Sequence, residues 1–193
     1  MMQHILRVII FSYLIGSFPT AFILGRLFFK KDVRKQGSGN VGTLNFLRVT
    51  RSKILAIIVL ILDVFKGYAA LWMTHYFSGP EYLLISSIAV ILGHIFPIWL
   101  HWKGGRGLAT LAGVFIFLNP VLVGWWWILF GILYLVLKKY IIAGILALFL
   151  VNILTIFLYS MDMFMVLSVN SLIVFLKYVP RIKQELNIIR ERS

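Results

Sequence analysis

The stretch "ILAIIVLILDVFKGYAALWM", Ile54–Met73, has the length and the apolar character of a helix that crosses a membrane, which takes about 20 residues. Only Asp63 and Lys66 interrupt it, and they lie three residues apart, on one face of a helix. Charges inside a span are costly and often functional, but two opposite charges can also neutralise each other and hold helices together. The residues alone favour this second, structural interpretation.

The whole chain has the same apolar bias. Of its 193 residues, 61% are hydrophobic and 13% are charged, and the mean hydropathy is +0.97. Soluble domains are nearer about 45–50% apolar and about 25% charged. The composition therefore predicts an integral membrane protein, with one domain over residues 1–193. The absence of cysteine excludes disulfide and thiolate chemistry. We expect the first apolar run to be a retained span and not a cleaved signal peptide.

Seven apolar segments predict an all-α, polytopic membrane helix bundle. In chain order they are residues 4–28, 54–77, 82–100, 108–118, 121–137, 141–159 and 163–177. The fourth is too short to cross a membrane alone as a regular lipid-facing helix. A six-span alternative merges residues 108–137 into one segment.

The distribution of basic residues favours seven spans. Sixteen of the nineteen lysines and arginines lie in alternate breaks and in the tail, whereas the other breaks carry Glu81 and Asp162 instead. Basic residues collect on the cytoplasmic side of membrane proteins. Seven spans with the N-terminus outside and the C-terminus in the cytoplasm satisfy this rule. The same rule explains the net charge of +13 better than nucleic-acid binding does, because no basic module with interleaved aromatic residues is visible.

The polar segment "GSGNVGTLNFLR", Gly37–Arg48, lies on the predicted cytoplasmic face. Its glycines, Gly37, Gly39 and Gly42, permit backbone conformations that other residues avoid, so that successive N–H groups can form an anion-binding nest. Neutral hydrogen-bonding side chains come from Ser38, Asn40, Thr43 and Asn45. Arg48 adds a forked cation suited to phosphate.

A second polar segment, "HWKGGRGLAT", His101–Thr110, repeats this pattern on the same face. Two flexible glycines separate Lys103 from Arg106, and Gly107 opens an apolar helix. The N-terminus of a helix favours an anion. Together the two segments predict binding of two phosphate-like groups, or of one large one, at the membrane surface. The alternative is that their basic residues only satisfy topology or contact anionic lipid head groups.

Several common catalytic patterns are missing from the sequence. None of the four histidines is followed by Asp in the His-x4-Asp spacing of soluble-type glycerolipid acyltransferases. No His, Asp or Glu cluster has metal-ligand spacing, so we predict neither a metal nor a cofactor. His94 either lines a site or caps a helix.

These motifs resemble those of a known family. "GSGNVG…N…R", "GHIFPIWLHWKGGRGLAT" and the tail pattern N-I-x-R are similar to the bacterial membrane-integral acyl-phosphate:glycerol-3-phosphate acyltransferases, as are "YLIGSFPTAF" and "LDVFKG". The resemblance implies transfer of a fatty acyl group from acyl phosphate, not acyl-CoA, to the 1-hydroxyl of glycerol 3-phosphate. The products would be lysophosphatidic acid and phosphate, in the first acylation step of phospholipid synthesis. It also implies a multi-pass protein of the bacterial inner membrane with a cytoplasmic active face, membrane lipids around it and no obligate protein partner.

The resemblance and the residue pattern together give a candidate site. The candidate catalytic residues are Ser38, Asn45, Lys103 and Asn187. The candidate phosphate- or substrate-binding residues are Gly37, Gly39, Asn40, Gly42, Thr43, Arg48, His94, Gly104, Gly105, Arg106, Gly107, Thr110 and Arg190. The implied roles are that Lys103, Arg106 and Arg48 hold phosphates and that the loop 37–42 cradles one of them. Asn45 and Asn187 would orient the glycerol or the polar rim.

The chain also departs from the usual family pattern. Leu44 stands where a threonine is usual, Ile142 lies in place of a serine-rich helix start, and Gln184 replaces a histidine. These changes keep a divergent or non-catalytic lipid-binding paralogue as an alternative. A transporter of a phosphorylated solute is the other alternative, although no inverted repeat is evident.

Overall fold

The computed structural model describes the backbone of residues 2–190 and the side chains of residues 2–187, and this part of the chain is helical without strands. The helices are α1 (Met2–Ser17), α2 (Thr20–Phe29), α3 (Thr43–Thr50), α4 (Lys53–Phe77), α5 (Leu83–Ile95), α6 (Leu108–Leu118), α7 (Val121–Leu137), α8 (Tyr140–Leu158) and α9 (Met161–Arg190). Short 3₁₀ turns cover Pro80–Tyr82 and Ile98–Leu100. The all-α prediction is confirmed.

Within the described residues, five stretches are long and apolar enough to cross a membrane. They are Met2–Phe29, Lys53–Phe77, Pro80–Leu100, Tyr140–Leu158 and Met161–Asn187. The helices at Leu108–Leu118 and Val121–Leu137 are apolar but shorter. Each predicted segment thus has a helical counterpart, while the number of seven spans and the orientation of the termini stay predictions.

Three element boundaries differ from the sequence prediction. The first predicted segment is two helices, because Pro19 has no N–H to continue α1 and disfavours helical backbone at Phe18. The polar break before α4 contains the short helix α3. The last helix continues past residue 177 to Arg190, through Pro180, so the polar tail is helical.

The contacts divide the chain into two compact units, one ending at Phe117 and the other beginning at Leu118. In the second unit, the Trp126 indole donates to the Gly144 carbonyl at 3.1 Å and joins α7 to α8. The Asn152 amide of α8 donates to the Ser171 hydroxyl of α9 at 2.9 Å. The single domain over residues 1–193 stays a prediction.

In the first unit, helices approach each other at backbone distance. A Cβ added at Gly16 of α1 would collide with the Val90 carbonyl of α5, and one at Gly93 of α5 would collide with the Tyr13 carbonyl of α1. Gly113 of α6 lies in the same way against the Val64 carbonyl of α4. Small residues give membrane helices this close packing. The ends of these helices are therefore held in fixed positions.

A cluster of hydroxyl groups joins α1, α4 and α5 inside the same unit. The Ser86 hydroxyl lies 2.9 Å from that of Ser12 and 2.9 Å from that of Thr74. All three side chains are buried, and hydrogen bonding satisfies polar groups that would otherwise be costly in an apolar interior. The cluster therefore adds directional hydrogen bonds to the close glycine contacts between the helices.

The close α1–α5 contact predicts that Gly16→Ala destabilises the protein. The new methyl group must push α1 away from the Val90 carbonyl, and overpacking of this kind costs about 1–3 kcal/mol. The thermal unfolding midpoint in detergent should fall by several degrees.

Gly124→Ala in α7 is the matched control, because the described atoms leave 4 Å of open space around its added Cβ. Its midpoint should stay or rise, since alanine is the better helix former. Equal losses in the two variants would contradict the packing argument.

Candidate active site

The glycine-rich segment after α5 folds back onto the end of that helix. The Gly104 N–H donates to the Ile95 carbonyl at 3.1 Å, and the Gly105 N–H donates to the His94 carbonyl at 3.0 Å. The reversal passes through left-handed backbone at His101 and Trp102, with φ of 52° and 65°. The segment is thus a hydrogen-bonded turn with a defined course.

Gly104 and Gly105 are required mainly because a side chain at either position would have no room, and less because of backbone flexibility. A Cβ at Gly104 would collide with the His94 carbonyl, and a Cβ at Gly105 would collide with Nε2 of the His94 ring. Gly107 is different, since its φ of 89° favours glycine, and its carbonyl accepts the first helical bond of α6 from Leu111 at 2.8 Å. The expectation that Gly107 opens an apolar helix is confirmed.

The first polar segment has the predicted glycine conformations and an unexpected internal anchor. Gly37 and Gly39 have φ of 61° and 69°. The buried Asn45 amide accepts from the Ser38 N–H at 2.7 Å and donates to the carbonyls of Val33 at 2.8 Å and Gln36 at 3.2 Å. Asn45 therefore holds the loop closed from inside.

These bonds change which backbone groups are available to an anion. The N–H of Ser38 is used by Asn45, and that of Gly39 donates to the Gln36 carbonyl at 3.1 Å. The helix α3 begins directly afterwards, with Gly42 as its extended N-cap and no side-chain cap. The first N–H groups of a helix have no partner within it. In this segment the start of α3, and not residues 38–39, therefore has N–H groups that its own helix leaves without a partner.

An apolar cluster fixes the first segment beneath its polar surface. Val33, Val41, Phe46 and Val49 are buried together with Ala56 and Val59 of α4 and with Leu100. Leu100 lies in the 3₁₀ turn directly before the second segment. The two polar segments thus share one hydrophobic support, which sets their relative position.

An ion-pair cluster holds the start of the first segment. The buried Asp32 carboxylate lies 2.9 Å from Arg34 and 3.3 Å from Arg26. The hydrogen bonds from the Arg34 side chain lower the pKa of Asp32 to about 2, against the opposing effect of burial, and the charges of both arginines add to this. The same contact raises the pKa of Arg34. Arg34 also lies over the Phe22 ring, 4.6 Å from its centroid.

Both polar segments contribute to one pocket in the first unit. Its walls are residues 16–20 around the α1–α2 break, Val41 of the first segment, Gly104 and Gly105 of the second, and Pro97 and Leu100, which precede the second segment. Its polar side chains include Asp63, Lys66 and His94, all buried. The structure thus brings parts of the first two polar segments to one pocket.

Three buried charged or ionisable groups meet at this pocket. The Lys66 ammonium lies 2.7 Å from the Asp63 carboxylate and donates to the Phe18 carbonyl at 2.7 Å. Nδ1 of His94 lies 3.9 Å from the Asp63 carboxylate. From the sequence, Asp63 and Lys66 are expected mainly to hold helices together. That they line the pocket is visible only in the structure. The signal that could have found them was the cost of charges inside a span.

The remaining candidate residues lie at several depths. Ser38, Arg48 and Lys103 are exposed, and Asn40 and Arg106 are half-buried. The Thr43 and Thr110 hydroxyl oxygens are buried without a hydrogen-bond partner among the described residues. Asn187 is exposed on α9 in the second unit, and the side chain of Arg190 lies outside the described residues. The roles of all these residues stay predictions.

Comparison with known proteins identifies the family. A family model described as glycerol-3-phosphate acyltransferase matches residues 6–188. The chain belongs to the glycerol-3-phosphate acyltransferase family. It is 40% identical to the glycerol-3-phosphate acyltransferase of Staphylococcus aureus strain bovine RF122, over 74% of this chain and 75% of that protein. It is 44% identical to the same-named protein of Staphylococcus saprophyticus, over 71% of each.

Solved structures of the family have the same fold. The chain matches the crystal structure of PlsY (YgiH), an integral membrane glycerol 3-phosphate acyltransferase, in its glycerol 3-phosphate form, with a TM-score of 0.85 and 25% identity. The match covers 95% of this chain and 92% of that one. The lysophosphatidic acid form of PlsY matches with a TM-score of 0.81 and 26% identity. The resemblance predicted from the motifs is confirmed, and the chain is an integral membrane acyltransferase by family.

The internal role of Asn45 predicts that Asn45→Asp loosens the first segment. The carboxylate keeps the bond from the Ser38 N–H but sets a second oxygen against the carbonyls of Val33 and Gln36. Losing buried bonds of this kind costs about 2 kcal/mol or more. Amide hydrogen exchange over residues 33–42 should become faster.

Leu44→Thr is the control for this prediction, since Leu44 is the neighbouring residue and is 55% exposed. Its exchange should match the wild type. Unchanged exchange in Asn45→Asp would contradict the anchor, and faster exchange in Leu44→Thr would show that the segment tolerates no change.

The Asp32 cluster predicts an acid-sensitive start of the first segment. Because the pKa of Asp32 is lowered from 3.8 to about 2, its stabilising effect is present above about pH 4 and lost as the pH falls to about 2. Above pH 4, Asp32→Asn should cost about 1.5–3 kcal/mol, the range for hydrogen bonds to charged groups. The difference in thermal midpoint between wild type and Asp32→Asn should shrink between pH 4 and pH 2. A difference that stays constant with pH would contradict the ion pairing.

Proposed function

We propose that this protein transfers a fatty acyl group from acyl phosphate to the 1-hydroxyl of glycerol 3-phosphate, giving lysophosphatidic acid and inorganic phosphate. The observation that carries the proposal is that Val41 of the first glycine-rich segment and Gly104 and Gly105 of the second line the same pocket. Each substrate brings one phosphate, and the donor also brings an apolar chain. A pair of anion-binding segments beside a lipid-facing bundle suits both requirements.

The proposed phosphate contacts use backbone and side-chain donors of both segments. The start of α3 offers backbone N–H groups, and Arg48 lies on the same short helix. Lys103 and Arg106 flank the turn of the second segment. Arginine binds phosphate in a two-pronged way and lysine as a point charge, so these side chains would both hold and orient the substrates. Ser38 would contact a substrate through its exposed hydroxyl, because its N–H is engaged.

The chemistry needs positioning more than a protein nucleophile. The 1-hydroxyl oxygen attacks the acyl carbon, the bond from that carbon to the phosphate oxygen breaks, and the departing phosphate takes the hydroxyl proton. The mixed anhydride is already activated, so orientation and charge stabilisation supply the remaining rate enhancement. The absence of cysteine and of a His-x4-Asp pair in the sequence agrees with this scheme.

We place the reaction at the cytoplasmic face of a bacterial inner membrane. Seven spans, with the N-terminus outside and the C-terminus in the cytoplasm, would put the basic segments on that face, in line with the positive-inside rule. Acyl phosphate would enter from the membrane and glycerol 3-phosphate from the cytoplasm. Asn187 and Arg190 stay candidate substrate-binding residues on the strength of the tail motif alone.

The test offers purified protein glycerol 3-phosphate with palmitoyl phosphate, and separately with palmitoyl-CoA. Phosphate release and lysophosphatidic acid are followed together, and both should appear only with palmitoyl phosphate. Product from palmitoyl-CoA alone would contradict the proposed donor. Binding of palmitoyl phosphate without product would indicate the lipid-binding alternative. Solute flux into vesicles without covalent change would indicate the transporter.

Within the same assay, Lys103→Ala should lower kcat/KM by about 10²-fold or more, because a charged group that stabilises the reacting phosphate is lost. Lys53→Ala is the matched control, since Lys53 is also exposed at the start of a helix but lies outside both segments. Its turnover should be unchanged. Full activity in Lys103→Ala would remove Lys103 from the proposed site.

A further inference from the structure

The ion pair of α4 is buried inside the first unit, where charges are costly. Asp63 and Lys66 are 2% and 7% exposed, and their charged atoms lie 2.7 Å apart. Burying two charges is often less stable than burying apolar residues of the same size. Stability alone therefore gives little reason for this pair, and its position on the pocket wall suggests a second role.

The pair is connected to both sides of the pocket. On one side, the Lys66 ammonium donates to the Phe18 carbonyl at 2.7 Å, in the break between α1 and α2. On the other side, the Asp63 carboxylate lies 3.9 Å from Nδ1 of the buried His94 ring. The pair thus links the α1–α2 break to the end of α5.

The His94 ring continues this connection into the second polar segment. Its Nε2 lies where any side chain at residue 105 would project, so the ring and the Gly105 backbone are in contact. The His94 carbonyl also accepts from the Gly105 N–H at 3.0 Å. A shift of the imidazole would therefore displace Gly105, and with it the flanking Gly104 and Arg106.

We propose that Asp63 and Lys66 are positioning residues for the acyl transfer, which act through His94 on the course of residues 103–106. The predicted effect of these residues on turnover rests on the proposed function. Lys66 orients the Asp63 carboxylate, the carboxylate orients the imidazole, and the imidazole sets how closely Gly105 approaches α5. Misplacement of reacting groups by about 1 Å can cost about 10²-fold in rate.

The first test removes both charges together, with Asp63→Asn and Lys66→Met, so that no unpaired charge is left buried. This variant should fold, because apolar and neutral replacements of buried ion pairs are tolerated. Hydrogen exchange of the peptide covering residues 101–107 should become about tenfold faster, since the Gly104 and Gly105 N–H bonds are loosened. The control replaces Ser12 and Ser86 by alanine, a buried polar contact away from the pocket, and should leave that peptide unchanged.

The second test asks whether the pair acts through Gly105. Asp63→Asn with Lys66→Met, and Gly105→Ala, should each lower kcat/KM by about 10- to 100-fold. In the combined variant the losses should not multiply, because a freed imidazole can make room for the new methyl group. The control combines Gly105→Ala with Ser12→Ala and Ser86→Ala instead of with the charge removal. In this background Gly105→Ala should lower kcat/KM as much as it does in the wild type.

The outcomes separate this inference from the proposed function. Unchanged exchange over residues 101–107, or losses that multiply, would overturn the positioning role. Faster exchange together with non-multiplying losses would support it. If the wild type makes no product but the exchange result holds, the link from the ion pair to the glycine turn stands and the proposed reaction fails.

Discussion

Contact between backbones, at positions where no side chain intervenes, is the constraint on which the first unit depends. Gly16 and Gly93 bring α1 against α5, and Gly113 brings α6 against α4. Without a strong hydrophobic drive between helices in lipid, such close packing is what holds them together. These contacts fix how α1 packs against α5 and how α6 packs against α4. The pocket lies at the ends of α1 and α5, so its shape is set by contacts deeper in the bundle.

The sequence predicted much of this because its signals are local. Long apolar runs, glycines with left-handed backbone at Gly37 and Gly39, and Gly107 at the start of a helix need no knowledge of distant contacts. The family motifs are also continuous in sequence. By contrast, Gly104 and Gly105 were interpreted as flexible, although they are glycines because the His94 main chain and ring leave no room. Because the side chain is excluded by a residue of α5 and not by the segment itself, the local sequence pattern does not reveal this requirement.

Two further features lay beyond sequence reasoning for a similar reason. Asn45 was expected to orient a substrate, but its amide is used by Ser38, Val33 and Gln36, which a pattern of residue types does not reveal. Asp63 and Lys66 were weighed as a pair on one helix, since spacing shows only that they can meet. Their second contacts, with Phe18 and His94, depend on how α4 packs against α1 and α5.

The few acidic residues near the two segments form ion pairs, and these explain how a region rich in basic residues can be rigid. Asp32 binds Arg34 and Arg26 at the start of the first segment, and Asp63 binds Lys66 beside the second. Both carboxylates form ion pairs with a structural role, and Lys103 and Arg48 are exposed. A site that stabilises charge during acyl transfer gains most when its donors are already in place and need not reorganise. The proposed reaction, which uses no protein nucleophile, would therefore benefit from loops that are already held in place by such ion pairs.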